Sequence, residues 1–219
     1  MLKPGKIVCV GHNYRAHVAE LSTDMPVEPL LFGKFATTVI ASGEPIVLPP
    51  EATHVDAEVE LAVVIGKTVR RISSARALDA VAGYLCANDV SARNLQYGDG
   101  QWTRGKGFDT FCPVGPEEPV PVSELGDGSG LRVVQRLNGV VMQDGNTRNM
   151  IFDVRFLVAY ASNVFTLEPG DLILTGTPAG VGWARDPKVS LRDGDVVEVE
   201  VEGIGVLSNP VVAEHVTPP

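Results

Sequence analysis

The segment VDAEVELAVVIG, residues 55–66, constrains this chain more than any other. From Leu61 to Ile65 every side chain is apolar, so a strand there is covered on both faces and lies inside a packed sheet. Successive side chains of a strand point to opposite faces, so Glu58 and Glu60 point the same way. Two like charges that close, at the border of an apolar interior, repel one another and lose hydration. Either the strand end is solvated, or something positive meets the pair, and a divalent cation is the simplest candidate.

A chain of 219 residues that is 44% hydrophobic can bury a sizeable core, and with no repeat or linker visible it reads as one domain over residues 1–219. A net charge of −9 argues against nucleic acid and anionic membranes as partners. An anionic small molecule is still allowed, because a bound metal and a few lysines can reverse the field inside a pocket. Cys9, Cys86 and Cys112 lack CxxC spacing and sit in apolar surroundings, as reduced thiols do in a cytosol. The run IVCVG is too short for a secretory signal, and no apolar stretch approaches a membrane span, so the expected location is cytoplasmic.

Strand patterns dominate: Lys6–Val10, Thr38–Ile40, Ile46–Leu48, Glu58–Ile65, Ala82–Ala87, Val133–Leu137, Val140–Gln143, Asp171–Thr175 and Val196–Val201. Asn138-Gly139 between two of them is a two-residue hairpin turn. In the last, Val197, Val199 and Val201 alternate with Glu198 and Glu200, the pattern of a half-exposed antiparallel strand. Helices are expected over Asn13–Leu21, Ser74–Val81, Val90–Tyr97 capped by Asp89, and Asn149–Phe165. Residues 117–130, rich in Pro, Glu, Gly and Asp, read as a surface loop. Helices and strands do not alternate regularly, which makes the fold class α+β.

Several groups could carry chemistry. Asp89, at the end of GYLCAND, either caps a helix or completes an all-oxygen site with Glu58 and Glu60. With no His or Cys at ligand spacing, hard oxygen donors favour Mg²⁺ or Mn²⁺, with Ca²⁺ as the alternative. Asp89, Arg93 and Gln96 recur at i, i+4 and i+7, one helix face that either binds a carboxylate or is a solvated polar stripe. His17 and Glu20, three apart in NYRAHVAE, form either a base with its orienting carboxylate or a surface pair. Lys106 between glycines in RGKGF, and Lys34 in FGKF, are either ligand-facing cations or ordinary loop lysines. LTGTPAGVG, residues 174–182, offers glycine N–H groups and the Thr177 hydroxyl as an anion nest, or is simply a turn.

Taken together and in order, VGHNYRAHVAE, VDAEVELAVVIGK, GYLCANDVSARNLQ, GKGFDTFCPVGP, LNGVVMQDGNT, LEPGDLILTGTPAGVG and DGDVVEVEVEGIG resemble the fumarylacetoacetate hydrolase family, in its short acylpyruvase-like branch. The resemblance spans nearly the whole chain. It implies a β-rich mixed-sheet roll with few short helices, assembled as a homodimer. It also implies Glu58, Glu60 and Asp89 as metal ligands and a His17–Glu20 dyad on a lid helix. Lys106 would act in catalysis, with Lys34, Arg93, Gln96 and Thr177 lining the site of a small 2-oxo acid. The implied reaction is metal-dependent hydrolysis of the C–C bond of an acylpyruvate. Decarboxylation of oxaloacetate or isomerisation of an unsaturated 2-oxo dicarboxylate are the alternatives on the same scaffold. His12 stands where Arg or Leu is more usual before Asn-Tyr, and Phe35 where proline is common after Lys34; both bear on which substrate fits.

Overall fold

The computed structural model describes residues 3–215. The chain opens with β1 (Ile7–Gly11), α1 (Arg15–Glu20), β2 (Leu30–Lys34), β3 (Val39–Ile40), β4 (Ile46–Leu48), β5 (Val55–Asp56) and β6 (Val59–Ile65). It continues through β7 (Val81–Asn88), β8 (Ser91–Ala92), α2 (Arg93–Asp99), α3 (Thr103–Lys106), β9 (Cys112–Pro121) and α4 (Val122–Leu125). The last part comprises β10 (Arg132–Leu137), β11 (Val140–Asn146), α5 (Val154–Val164), β12 (Leu172–Leu174), β13 (Val196–Val201) and β14 (Gly205–Ala213). This is the expected strand-rich α+β architecture of mixed sheets with few, short helices. Among the described residues no helix is long and apolar enough to cross a membrane.

Seven strands form one sheet in the order β2-β1-β12-β6-β7-β9-β3. Its two outermost strands are neighbours in the chain, joined through residues 35–38. Laid flat, seven strands are about 29 Å wide at roughly 4.8 Å per spacing, whereas five extended residues reach only about 18 Å. The sheet therefore curls into a roll, and the curl gives it an inside. Ile7 and Cys9, Ala62 and Val64, Leu85 and Ala87, and Leu172 and Leu174 pack together on that inner face. The intervening Val8 and Val10, Leu61 and Val63, Tyr84 and Cys86, and Ile173 face outward into a larger core. That core is closed by the five-stranded sheet β11-β10-β13-β14-β4 and by the apolar face of α5, including Leu157, Val158 and Ala161.

Local expectations fared unevenly. Asn138 and Gly139 both adopt positive φ, 51° and 79°, and turn β10 into β11. On β13 the valines at 197, 199 and 201 are buried and the glutamates between them half-buried. Asp153 caps α5 by accepting from the Phe156 N–H at 2.8 Å, so the helix starts at Val154, later than expected. Asn13 caps nothing; its side chain instead ties the turn after β1 to Phe152 and Thr175. Asp89 is no helix cap either, because β8 intervenes before α2. The segment 117–130, expected as loop, carries the second half of β9 and the short α4, and Ser74–Ala80 is a 3-10 turn.

Candidate active site

The site grows out of the roll's inner face. Continuing the parity of Ala62 and Val64 backward along β6 brings Glu60 and Glu58 to that face, and continuing Leu85 and Ala87 forward along β7 brings Asp89 there. Antiparallel pairing of β6 with β7 sets the three carboxylates side by side at the roll's mouth, one oxygen of each within 4.8 Å of the others. Lys34 follows the same rule, since it lies on the face of Phe32, opposite Ile7 of β1. Its Nζ donates to Asp89 Oδ1 at 2.7 Å and to the Val90 carbonyl. Lys106, at the end of α3, donates to Glu58 Oε2 at 2.7 Å and Asp89 Oδ2 at 2.6 Å, with its Nζ 5.1 Å from the Phe32 ring centroid.

Arg93 and Gln96 also converge, but through a different geometry from the expected helix face. Arg93 pairs with Glu58 Oε1 at 2.6 Å and with Asp56 Oδ2 through Nε and Nη2, while its Nη1 donates to Gln96 Oε1. Asp56 is a site residue that the sequence reading missed. It also accepts the N–H groups of Ala57, Gly182 and Trp183, so one buried carboxylate fixes both Arg93 and the glycine-rich loop. The signal was there: Asp56, Glu58 and Glu60 are alternate residues.

That loop overturns the anion-nest expectation. Its three glycine N–H groups are taken by the protein's own acids: Gly176 donates to Glu60 Oε2 at 2.6 Å, Gly180 to Glu20 Oε2 at 2.9 Å, and Gly182 to Asp56. Thr177 faces the cavity, yet its hydroxyl donates to the Val59 carbonyl and accepts from Gln143 Nε2. Gln143, also unforeseen, accepts from the Val59 N–H and so clamps the loop to the start of β6. Glycine is required at 176, where φ is +96° and a Cβ would lie 2.7 Å from that of Asn13.

His17 and Glu20 form the expected dyad, Nδ1 to Oε1 at 2.7 Å, with His17 buried and Glu20 steadied by Gly180. His17, with His12, Leu21, Phe32 and Trp102, covers a cavity whose floor is the carboxylate cluster. Its free volume is only about 20 Å³, enough for one water or one ion.

Charge explains what the cluster can bind. Four buried acids, Asp56, Glu58, Glu60 and Asp89, face three buried bases, Lys34, Arg93 and Lys106. Burial works to raise the Glu58 carboxyl, but Arg93 and Lys106 overcome it and hold the group well below the ordinary carboxylate range. Burial, then the charges of Asp89 and Glu58, push Glu60 well above it. Glu60 is the acid without an ion-pair partner among the described residues; only a backbone N–H meets it. Oxygens around one hard cation lie roughly 3–5 Å apart, the spacing this triad has, and the surplus negative charge calls for such an ion. The residues thus fit a divalent metal.

The comparisons agree with this geometry. The sequence profile of the fumarylacetoacetate (FAA) hydrolase C-terminal domain matches residues 6–212. Mitochondrial oxaloacetate tautomerase FAHD2A of Bos taurus is 48% identical over 212 residues, which is 96% of this chain and 67% of that protein. The crystal structure of 5-carboxymethyl-2-hydroxymuconate delta-isomerase from Mycobacterium smegmatis superposes with a TM-score of 0.86 at 43% identity, covering 98% of this chain and 81% of that one. Fumarylacetoacetate hydrolase from Exiguobacterium antarcticum superposes with a TM-score of 0.88 at 41% identity, covering 97% and 76%. The chain belongs to the fumarylacetoacetate hydrolase family.

Proposed function

We propose that the protein is a divalent-metal-dependent tautomerase of 2-oxo acids, acting on oxaloacetate or a similar 2-oxo dicarboxylate. One observation carries the reading: a carboxylate-braced imidazole, His17, lines a small cavity beside an acid cluster in which Glu60 has no ion-pair partner among the described residues. Glu58, Glu60 and Asp89 would hold Mg²⁺ or Mn²⁺, which would supply Lewis acidity toward a bound 2-oxo acid. The C3–H bond, beside the keto group, is the acidic one. His17, its tautomer set by Glu20, takes the C3 proton and delivers it to the keto oxygen, and the reverse transfer from the enol oxygen to C3 restores the keto form. The cover over the cavity keeps bulk water from competing for the proton. Lys106 holds Glu58 and Asp89 in place and keeps the site from becoming too negative for an anionic substrate. The names of the oxaloacetate tautomerase and isomerase relatives support proton transfer as the chemistry.

Hydrolysis of an acylpyruvate C–C bond is the second reading, favoured by the room for one water in the cavity that His17 lines. The test is to give the metal-loaded protein enol-oxaloacetate and acetylpyruvate separately, following enol absorbance alongside pyruvate. Loss of oxaloacetate's enol signal without pyruvate is expected. Pyruvate from oxaloacetate would make the enzyme a decarboxylase, pyruvate from acetylpyruvate a hydrolase, and no change with either would end the proposal.

A further inference from the structure

We propose that His12 determines substrate specificity: its imidazole donates to the second carboxylate of a 2-oxo dicarboxylic acid held by its keto-acid end at Glu58, Glu60 and Asp89. The inference deepens the reading above and rests on it for the identity of the keto-acid end. Its first support is an inventory of the cavity wall. Of the lining groups able to carry positive charge, Arg93 and Lys106 are each committed to two carboxylates and His17 to Glu20. His12 makes no hydrogen bond or ion pair among the described residues; its ring touches only those of His17 and Trp102.

The second support is the backbone. His12 sits at φ +56°, in the left-handed region, immediately after β1. Such a conformation is uphill and persists only where the surroundings enforce it. Here Asn13 enforces it, anchored by its side chain to the Phe152 N–H and the Phe152 and Thr175 carbonyls, and by its own carbonyl to the Ile151 N–H. Gly11 is part of the arrangement, since a Cβ there would lie 2.6 Å from the Trp102 ring that backs His12. A residue placed only to fill space needs neither the strain nor the nitrogens.

The third support is placement. In a 2-oxo dicarboxylate of four carbons, the second carboxylate is bonded directly to the carbon that exchanges its proton. A base for that carbon and a donor for that carboxylate have to stand side by side, as two imidazoles with centroids 6.1 Å apart do.

The test uses pairs of ligands that differ by the distal carboxylate. Malate and lactate share a 2-hydroxy acid end, and calorimetry on the metal-loaded protein should show malate bound roughly 10–100-fold more tightly, the weight of one hydrogen bond to a charged group. His12→Asn suits the left-handed backbone, and His12→Phe keeps a ring without a donor. In both, the malate-to-lactate affinity ratio should fall to near one. The kcat/KM ratio of enol-oxaloacetate over enol-phenylpyruvate should fall by a similar factor, carried by KM. A malate advantage that persists in both variants, or that is missing from the wild type, overturns the proposal. Should the wild type turn over no 2-oxo acid at all, the tautomerase reading fails by itself, and the malate and lactate affinities still decide the part played by His12.

Discussion

Glu60→Gln should raise the stability of the metal-free protein and at the same time abolish its stabilisation by metal. At an effective dielectric of about 20, two bare charges 4.8 Å apart, the outer limit of the triad, repel by about 3.5 kcal/mol. Lys34, Arg93 and Lys106 offset most of the charge on Glu58 and Asp89, leaving about 1–2 kcal/mol of net repulsion on Glu60. Glutamine keeps the shape and the Gly176 N–H bond without the charge, so the variant should melt about 2–8 °C higher in a chelator, at roughly 2–4 °C per kcal/mol. The sign with pH follows from Glu60's raised carboxyl. Above its ordinary value of 4.5 the unfolded chain releases this proton while the folded one keeps it. Wild-type stability from this group is therefore full below 4.5 and lost as pH rises, at up to about 1.4 kcal/mol per unit, and the gap between variant and wild type should widen toward neutrality. With Mg²⁺ or Mn²⁺ at about 100 times Kd, the wild type should gain about 2.7 kcal/mol and the variant little. Thermal unfolding in chelator and in metal, across pH 5–8, measures all of this. A variant that melts no higher than wild type in chelator, or keeps the full metal-induced rise, refutes the argument.

Three further outcomes are expected. His17→Ala should lower turnover by roughly 10²–10⁴-fold while the metal-induced rise in melting temperature stays, since His17 is not among the ligands; loss of that rise would count against its assignment as the base. Asp56→Ala strips Arg93 and three N–H groups of their acceptor and should cost about 3–5 kcal/mol, read by denaturant unfolding; a cost under 1 kcal/mol would mean the network is dispensable. Gly176→Ala forces a side chain into positive φ against Asn13 and should cost about 1–3 kcal/mol, with the metal-induced rise reduced because the loop that holds Glu60 shifts.

How much of this was legible in the chain depends on how strictly period-two alternation holds. On β6 it holds through Glu58 and Glu60, so the acid pair and its face could be read directly; β13 and the Asn138-Gly139 turn were equally plain. β9 hid because Pro113, Pro116, Pro119 and Pro121 remove N–H groups and suggest a loop. β2 hid because Gly33 interrupts it and its outer residues are exposed. The convergence of Asp89 with the glutamates needs the β6–β7 register, which no local pattern states. The glycine-rich loop was misread for a different reason. Its N–H groups do bind anions, but the anions are Glu20, Glu60 and Asp56 of the same chain, supplied by segments more than a hundred residues away.

The short link from Lys34 to Val39 fastens one border of the rolled sheet to the other, and Lys34 at its start grips Asp89 across the opening. Seam and chemistry are thus one mechanical part. Prying the borders apart must drag an ammonium away from Asp89, so strain that unlatches the barrel-like wall also disturbs the carboxylate cluster.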